Sequence, residues 1–305
     1  MAAPPPPAEA AAVRLPGTAF QRDGATRLKE LGFAFGLLCM LGLALLTLVV
    51  LLIDIFLDGA GSLSGEFLTE TPSRVDPSSS GIAPAIYGTL WLMGVCAAFI
   101  IPVGVASAVY LEEYADRNNW FNRFIEVNIQ NLAAVPSIVY GVLGLAFLVR
   151  GPLSLGNVVL AGGLTLGLLV LPVLIVAARE ALRAVPPSIR EGSMALGATQ
   201  WQTIWKQVLP AAIPGIATGT ILALSRAIGE TAPLIVVGAT AFATSAGTGL
   251  FEDFSALPIQ IFGWTADANP EFHSLAAAAI IVLMGILLAM NAVAIWLRNR
   301  YEQKW

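Results

Sequence analysis

At 305 residues, 57% hydrophobic and only 12% charged, the chain has too little polar surface for a soluble domain. Several apolar runs reach the roughly 20 residues that a helix needs to cross a bilayer, so the class is a polytopic, all-α membrane protein. The net charge of −4 excludes little, because in such a chain the distribution of charge across the membrane matters more than its sum.

Spans are expected near 31–57, 82–110, 131–149, 156–178, 211–239 and 275–297, six in all, which puts both termini on one side. Residues 1–30 open with Pro4 to Pro7 and many alanines, a composition that cannot build a core, and are expected to be disordered. No short apolar stretch with a small-residue exit marks a cleaved signal. Asp54 and Asp58 fall at the end of the first run, where water solvates them. The connection 58–81 is acidic and rich in Gly, Ser and Pro, the composition of a solvated loop. Residues 31–81 therefore form one span with its loop, 82–297 the five-helix core, and 298–305 a short tail.

The second span closes on Glu112, Glu113 and Tyr114. Trp120, Phe121, Phe124 and Ile125 then suggest a helix lying in the interface. The third span carries Asn128, Gln130 and Asn131 at its start, followed by VPSIVYGVLGL, and these amides are expected to bind neighbouring helices or freed backbone groups. In the fourth, Gly162, Gly163, Gly167 and Pro172 permit close helix approach. After the fifth span a loop begins as a flexible TSAGTG. It continues as FEDFSALPIQIFGWTA, expected to lie on the membrane surface or to line a mouth. His273 is the single histidine and has no evident catalytic partner. Cys39 and Cys96 both fall in spans and read as small packing residues rather than a disulfide.

Between the fourth and fifth spans lies the one long polar, basic stretch, SIREGSMALGATQWQTIWKQVLP, residues 188–210, within a loop of 180–210. Ser188 with Glu191, and Thr199 with Gln202, have the spacing of capping boxes. Gly197 stands between them, where a first helix needs a left-handed closing residue. Trp201, Ile204, Trp205 and Val208 form one apolar stripe, and Pro210 opens the next membrane run. The stretch reads as a helix–turn–helix bracket at a membrane surface. By pattern alone it is either an interfacial hairpin joining two spans or a face presented to another protein. Thirteen of the sixteen Lys and Arg flank alternate connections and both tails, which puts the termini and the bracket in the cytosol.

Glu191, Gly197 and Leu209-Pro210 resemble, in spacing, the EAA loop of the membrane subunits of binding-protein-dependent ABC importers. Gly192 and Ser193 replace two alanines usual in that family, and Gln207 replaces an aliphatic residue. The resemblance implies a type I ABC importer permease (MetI-like) fold in a bacterial inner membrane. It also implies that Glu191, Ala195, Leu196, Gly197, Trp201 and Trp205 couple the chain to a separate ATPase.

The fifth span contains LSRAIGETAPL. Arg226 and Glu230, four residues apart, share a helical face half-way along it. A charge at the bilayer centre costs at least ~2.5–3.5 kcal/mol on insertion scales, so it faces a bundle interior or a wet path. With Ser225, Thr231 and Pro233 beside it, the site suggests an anion path. A guanidinium holds oxyanions with two parallel hydrogen bonds, and phosphate, sulfate, molybdate or an organic acid all fit that chemistry. A gradient-driven anion transporter and a phosphate-sensing scaffold are further readings of the same pair.

SRAIGETAPL, NLAAVPSIVYGVLGL and ALPIQIF with EFHSLAAAAIIVL together resemble the PstA family, permease subunits of phosphate-specific ABC importers. The resemblance implies alternating access to phosphate, with Arg226, Glu230, Ser225 and Thr231 along the path. It implies a PstC-like sister permease, two PstB-like ATPases that hold ATP and Mg²⁺, and a PstS-like phosphate-binding protein. The chain itself has no nucleotide cradle: a P-loop needs Gly before its Lys, yet Lys29 follows Leu28, Lys206 follows Trp205 and Lys304 follows Gln303. No metal-ligand cluster or nucleophile–base pair stands out, so no cofactor and no enzyme activity are expected of this chain.

Overall fold

The computed structural model describes residues 24–73, 75–116, 119–239 and 249–301. Among these the regular structure is helical, apart from one isolated bridge between Val158 and Asp253. Most of the expected disordered tail (1–23) and nearly all of the TSAGTG run lie outside the described residues. Five helices are long and apolar enough to cross a membrane, and one bent pair raises the number to six.

The chain divides into two units, Met1–Ile53 and Asp54–Trp305. The first holds most of α1 (Gly24–Gly59), whose start takes in residues 24–30 that were expected in the tail. Leu31, Phe35, Leu41, Leu45 and Leu48 are all at least half exposed, so α1 is apolar on every face, as a membrane span is.

In the second unit α3 (Ala83–Val109), α6 (Val159–Arg183), α9 (Leu209–Ile228) and α12 (Pro270–Tyr301) form the bundle. The centre is α6, packed against both α3 and α9. Its small residues do what their spacing suggests. A side chain at Gly162, Gly163 or Gly167 would collide with Phe254, Val95 or Phe99 of its neighbours, and Ala181 and Ala177 sit as closely on Gly215 and Gly219 of α9. The first free N–H groups of α6 are satisfied from outside the helix: Val159 and Leu160 donate to the carbonyls of Glu252 and Leu250.

Two expected spans are broken. Residues Asn128, Gln130 and Asn131 belong to α4 (Trp120–Leu132), which turns by 106° into α5 (Ser137–Gly144) and its continuation to Val149. Pro136 forbids a continuous helix, and the Asn128 amide bonds the Phe124 carbonyl of its own helix rather than a neighbour. The Tyr140 hydroxyl donates to the Leu132 carbonyl and fixes the bend. Trp120, Phe121 and Phe124 remain exposed along α4, consistent with an interfacial helix. The thirteen residues from Ser137 to Val149 rise only about 20 Å, less than a bilayer core. The other break divides 211–239 into α9 and α10 (Ala232–Val237).

The aromatic stretch after the fifth span is mostly a core element, with Phe251 and Phe262 left exposed. Phe254, Ala256, Leu257 and Trp264 are essentially inaccessible, and α11 (Leu257–Thr265) packs on α12 and α3. The Leu257 N–H donates to the Thr89 hydroxyl inside the bundle. The loop 58–81 is more ordered than its composition suggests. It contains α2 (Gly65–Thr69), capped by Ser64, and Phe67 of that helix is buried against Trp264. Two hydrogen bonds from Ser78 hold the exposed Asp76 carboxyl below the usual carboxylate range. Cys39 is exposed, Cys96 is buried, and both are free.

Gly88 of α3 faces the backbone of Ser255, and a methyl group there would overlap its carbonyl oxygen. Gly88→Ala is expected to destabilise the bundle by about 1–3 kcal/mol. Gly32→Ala, with nothing within 4 Å, is expected to be neutral or slightly stabilising. Thermal unfolding of the detergent-solubilised protein compares the two.

Candidate functional site

The bracket consists of α7 (Pro187–Ala195) and α8 (Gln200–Thr203). Ser188 and Glu191 do not form the expected capping box. Pro187 already occupies the first turn after Pro186, so Ser188 lies inside the helix and no side chain caps it. Thr199 and Gln202 do form one, with bonds of 3.0 and 3.3 Å in the two directions. Gly197 closes α7 at φ +87°, with Gly197 N–H donating to Met194 and Ala198 N–H to Ser193. That is the paired bond of a Schellman turn, which a residue with a Cβ would strain.

From α8 the helix continues through one wide π turn, Ile204–Val208, into α9. Pro210 therefore does not begin a separate run. The wide turn absorbs a proline that would otherwise clash with the preceding turn, and Gln200 to Ile228 is one helix. The apolar stripe divides in two. Ile204 and Val208 are buried under the bundle, whereas Trp201 and Trp205 are more than half exposed, their rings 5.2 Å apart. Leu196 at the turn is 92% exposed, and Glu191, Ala195 and Gly197 are exposed beside it. An apolar face of this size, aligned on two short helices, is a contact surface without its partner within the chain.

The bracket and the end of α6 beside it are held by charges that were not assigned from sequence. Glu113 pairs with Arg190 at 2.6 Å, and Glu112 with Arg183 at 3.1 Å and Arg179 at 3.6 Å. Arg179 also meets Glu126 at 3.0 Å. An acidic doublet at one span end facing an Arg-rich loop was the available signal, but partners more than 50 residues apart leave no local spacing to read.

Within the membrane segment, Arg226 and Glu230 meet as expected, Nε to Oε1 at 3.4 Å. Their setting differs from expectation. Arg226 is in the last turn of α9 rather than half-way along a continuous span. Gly229 and Glu230 close α9 by donating to the Arg226 and Ala227 carbonyls. Thr231 begins α10 without capping it through its side chain. Pro233 enforces the break, since its ring excludes a helical Gly229 carbonyl. Against the break packs α5, where Gly141 rests on the Pro233 backbone. Two of the segments that carry the resemblance, NLAAVPSIVYGVLGL and SRAIGETAPL, are thereby brought together.

Glu230 engages only Nε. Among the described residues the two terminal nitrogens of Arg226 make no hydrogen bond, and the side chain is 40% exposed. Ser225, by contrast, is occupied: its hydroxyl donates to Oδ1 of Asn291 at 2.7 Å and ties α9 to α12. Asn291 was not singled out from sequence, although an amide deep in the last apolar run was a legible signal. His273 donates through Nε2 to the Asp267 carbonyl, a local tie near the start of α12.

Residues 100–304 match the family described as the binding-protein-dependent transport system inner membrane component. The chain belongs to that family. It is 31% identical to the probable ABC transporter permease protein YqgI of Bacillus subtilis, over 87% of this chain and 95% of that one. It is 35% identical to phosphate transport system permease protein PstA 1 of Mycobacterium tuberculosis, over 72% and 71%. With PstA of Yersinia pestis the identity is 30% over 81% and 82%. Among solved structures, a bacterial alginate ABC transporter aligns with TM-score 0.63 at 15% identity, covering 87% of this chain and 94% of that one. The methionine ABC transporter MetNI aligns with TM-score 0.57 at 18%, over 72% and 95%. The fold is that of the type I ABC importer permeases, and the chain is a membrane transport component rather than an enzyme.

In a permease of this fold the left-handed turn of the bracket is a local test of its geometry. Gly197→Val is expected to cost about 1–2 kcal/mol locally. Hydrogen exchange at the 193–198 amides would rise several-fold, with the core of α6 unchanged.

Proposed function

We propose that this permease subunit moves inorganic phosphate into the cytoplasm by alternating access, driven by ATP hydrolysed on a separate subunit. The observation that carries the reading is the half-engaged guanidinium of Arg226. Glu230 neutralises it through Nε, while its terminal nitrogens remain available to a second oxyanion. Such a fork binds a tetrahedral oxyanion through parallel, charge-assisted hydrogen bonds. Glu230 holds the arginine between passages, and Thr231 adds a hydroxyl where the helix breaks. Relatives named as phosphate transport system permeases, at 30–35% identity over most of the chain, favour phosphate among the oxyanions.

The exposed face of Glu191, Ala195, Leu196, Gly197, Trp201 and Trp205 is the dock for the ATPase in this reading. Basic residues around the bracket and both tails favour a cytosolic position for all three. A sister permease would complete the path, two ATPase subunits would close on ATP and Mg²⁺ below it, and a phosphate-binding protein would deliver the ion from outside.

Arg226→Ala is expected to abolish phosphate uptake in vesicles while membrane insertion and co-purification of the complex persist. Normal uptake in that variant would end the path assignment. In the unmodified complex, unlabelled phosphate should compete with labelled phosphate far better than sulfate or molybdate does; the reverse order would reassign the substrate. Trp205→Asp is expected to weaken ATPase binding at least tenfold by placing a charge in an apolar contact. An unchanged affinity in a pull-down titration would remove the docking role.

A further inference from the structure

Both arms of the bracket are fastened to one residue. From α7, Arg190 donates through Nη2 to Oε1 of Glu113 at 2.6 Å, and through Nε to both carboxylate oxygens at 3.2 and 3.3 Å. From the start of α8, Gln200 donates through Nε2 to the backbone carbonyl of Glu113 at 2.7 Å. Glu113 lies in the π turn, Tyr110–Tyr114, that ends α3. Its side chain is 8% exposed and that of Arg190 is 20% exposed, so water screens the pair weakly. Arg190 further donates to the carbonyls of Val185 and Leu182, beyond and within the last turn of α6. The arms are also joined to each other, since the Ser193 and Thr203 hydroxyls meet at 2.9 Å.

These bonds make a stiff triangle of α7, α8 and the end of α3. The helix α9 follows any movement of the bracket because it is the same helix as α8. The helix α3 has no such continuity and is reached through Glu113. Glu112 beside it grips Arg183 and Arg179 of α6, which gives the end of α3 a second hold on the central helix. A pair that only stapled a surface would need one partner, not one from each arm.

We propose that Glu113 is the positioning residue that passes displacement of the bracket to α3, acting through Arg190 and Gln200 and touching neither the transported ion nor nucleotide. The role rests on the coupling reading of the bracket given above. In the complete complex reconstituted in liposomes, labelled inorganic phosphate carried and ATP hydrolysed are measured in the same sample. Glu113→Gln is expected to retain the ATPase and to hydrolyse ATP, while phosphate carried per ATP falls about tenfold, the loss of one charge-assisted contact. Glu113→Asp, which keeps the charge and leaves Arg190 its carbonyl partners, is expected to recover much of that ratio. An unchanged ratio in Glu113→Gln, or loss of the ATPase from that variant, would overturn the role, and so would a Glu113→Asp variant no better than Glu113→Gln. Should the unmodified complex carry no phosphate or retain no ATPase, the proposed function falls and this role with it. A normal unmodified complex with an indifferent Glu113→Gln removes this role alone.

Discussion

Hydrocarbon offers no hydrogen bonds, so every interruption of a helix inside the bilayer must be covered by other parts of the protein. This constraint decides where α9 can stop. Gly229, Glu230 and Thr231 leave the helical path, yet the Gly229 and Glu230 N–H groups return to Arg226 and Ala227 carbonyls, and α5 closes over Pro233. The break therefore costs little backbone polarity. It also places the only paired charges of the segment at the point where the backbone is irregular. A guanidinium inside a membrane span needs a carboxylate partner, and Glu230, at the break, supplies it through Nε. Break and ion pair are two parts of one solution.

The rest of the bundle is built to hold that solution in place. Buried on most of its surface, α6 meets α9 through small residues on both sides, Ala177 and Ala181 on Gly219 and Gly215, while toward α3 its glycines receive Val95 and Phe99. Contacts between small residues bring backbones near one another and can slide with less repacking than interdigitated cores. At the far end of α3 the packing has another character, with Trp264 between Phe67 and Phe272 and α11 sealed among them. One end of the bundle is thus fastened by aromatic burial and the other by ion pairs. The smooth part lies between.

Local rules read the sequence well wherever the determinant was local. Thr199 with Gln202, the left-handed Gly197 and the Arg226–Glu230 spacing all depend on residues within four positions of one another, and all appear as the chemistry of those residues dictates. Ser188 with Glu191 failed for an equally local reason, since Pro187 starts the helix first. Apolar runs located the spans but not their interruptions, because three residues hardly alter the hydropathy of a run near thirty. The FEDFSALPIQIFGWTA segment divides, Phe254 and Trp264 in the core and Phe251 and Phe262 exposed, because aromatic residues suit an interface and a core alike and only tertiary packing chooses. The Glu112 and Glu113 pairs join residues 67 to 87 positions apart, beyond any periodicity. In the site, Arg226 and Glu230 were legible as a pair. Ser225 was legible only as polar, and its attachment to Asn291 depends on how α12 crosses α9.

The continuous helix from Gln200 to Ile228 joins the two places where the chain presents chemistry. At 1.5 Å per residue it is about 43 Å long, with the exposed tryptophans at one end and the half-engaged arginine in the last turn of the other. Under the proposed coupling, no chain of side-chain contacts is needed between them, since a helix carries displacement along its axis through its own hydrogen bonds. Its weak places are identifiable: the π turn at Ile204–Val208 and the prolines at 210 and 214, where the ladder loses donors. All three lie near the bracket, so any bending would be confined to that end and the arginine end would move as a rigid piece. Arg226 shifts relative to α5 only if α9 slides past α6, and the small residues Ala177, Ala181, Gly215 and Gly219 form the track on which such a slide meets least resistance.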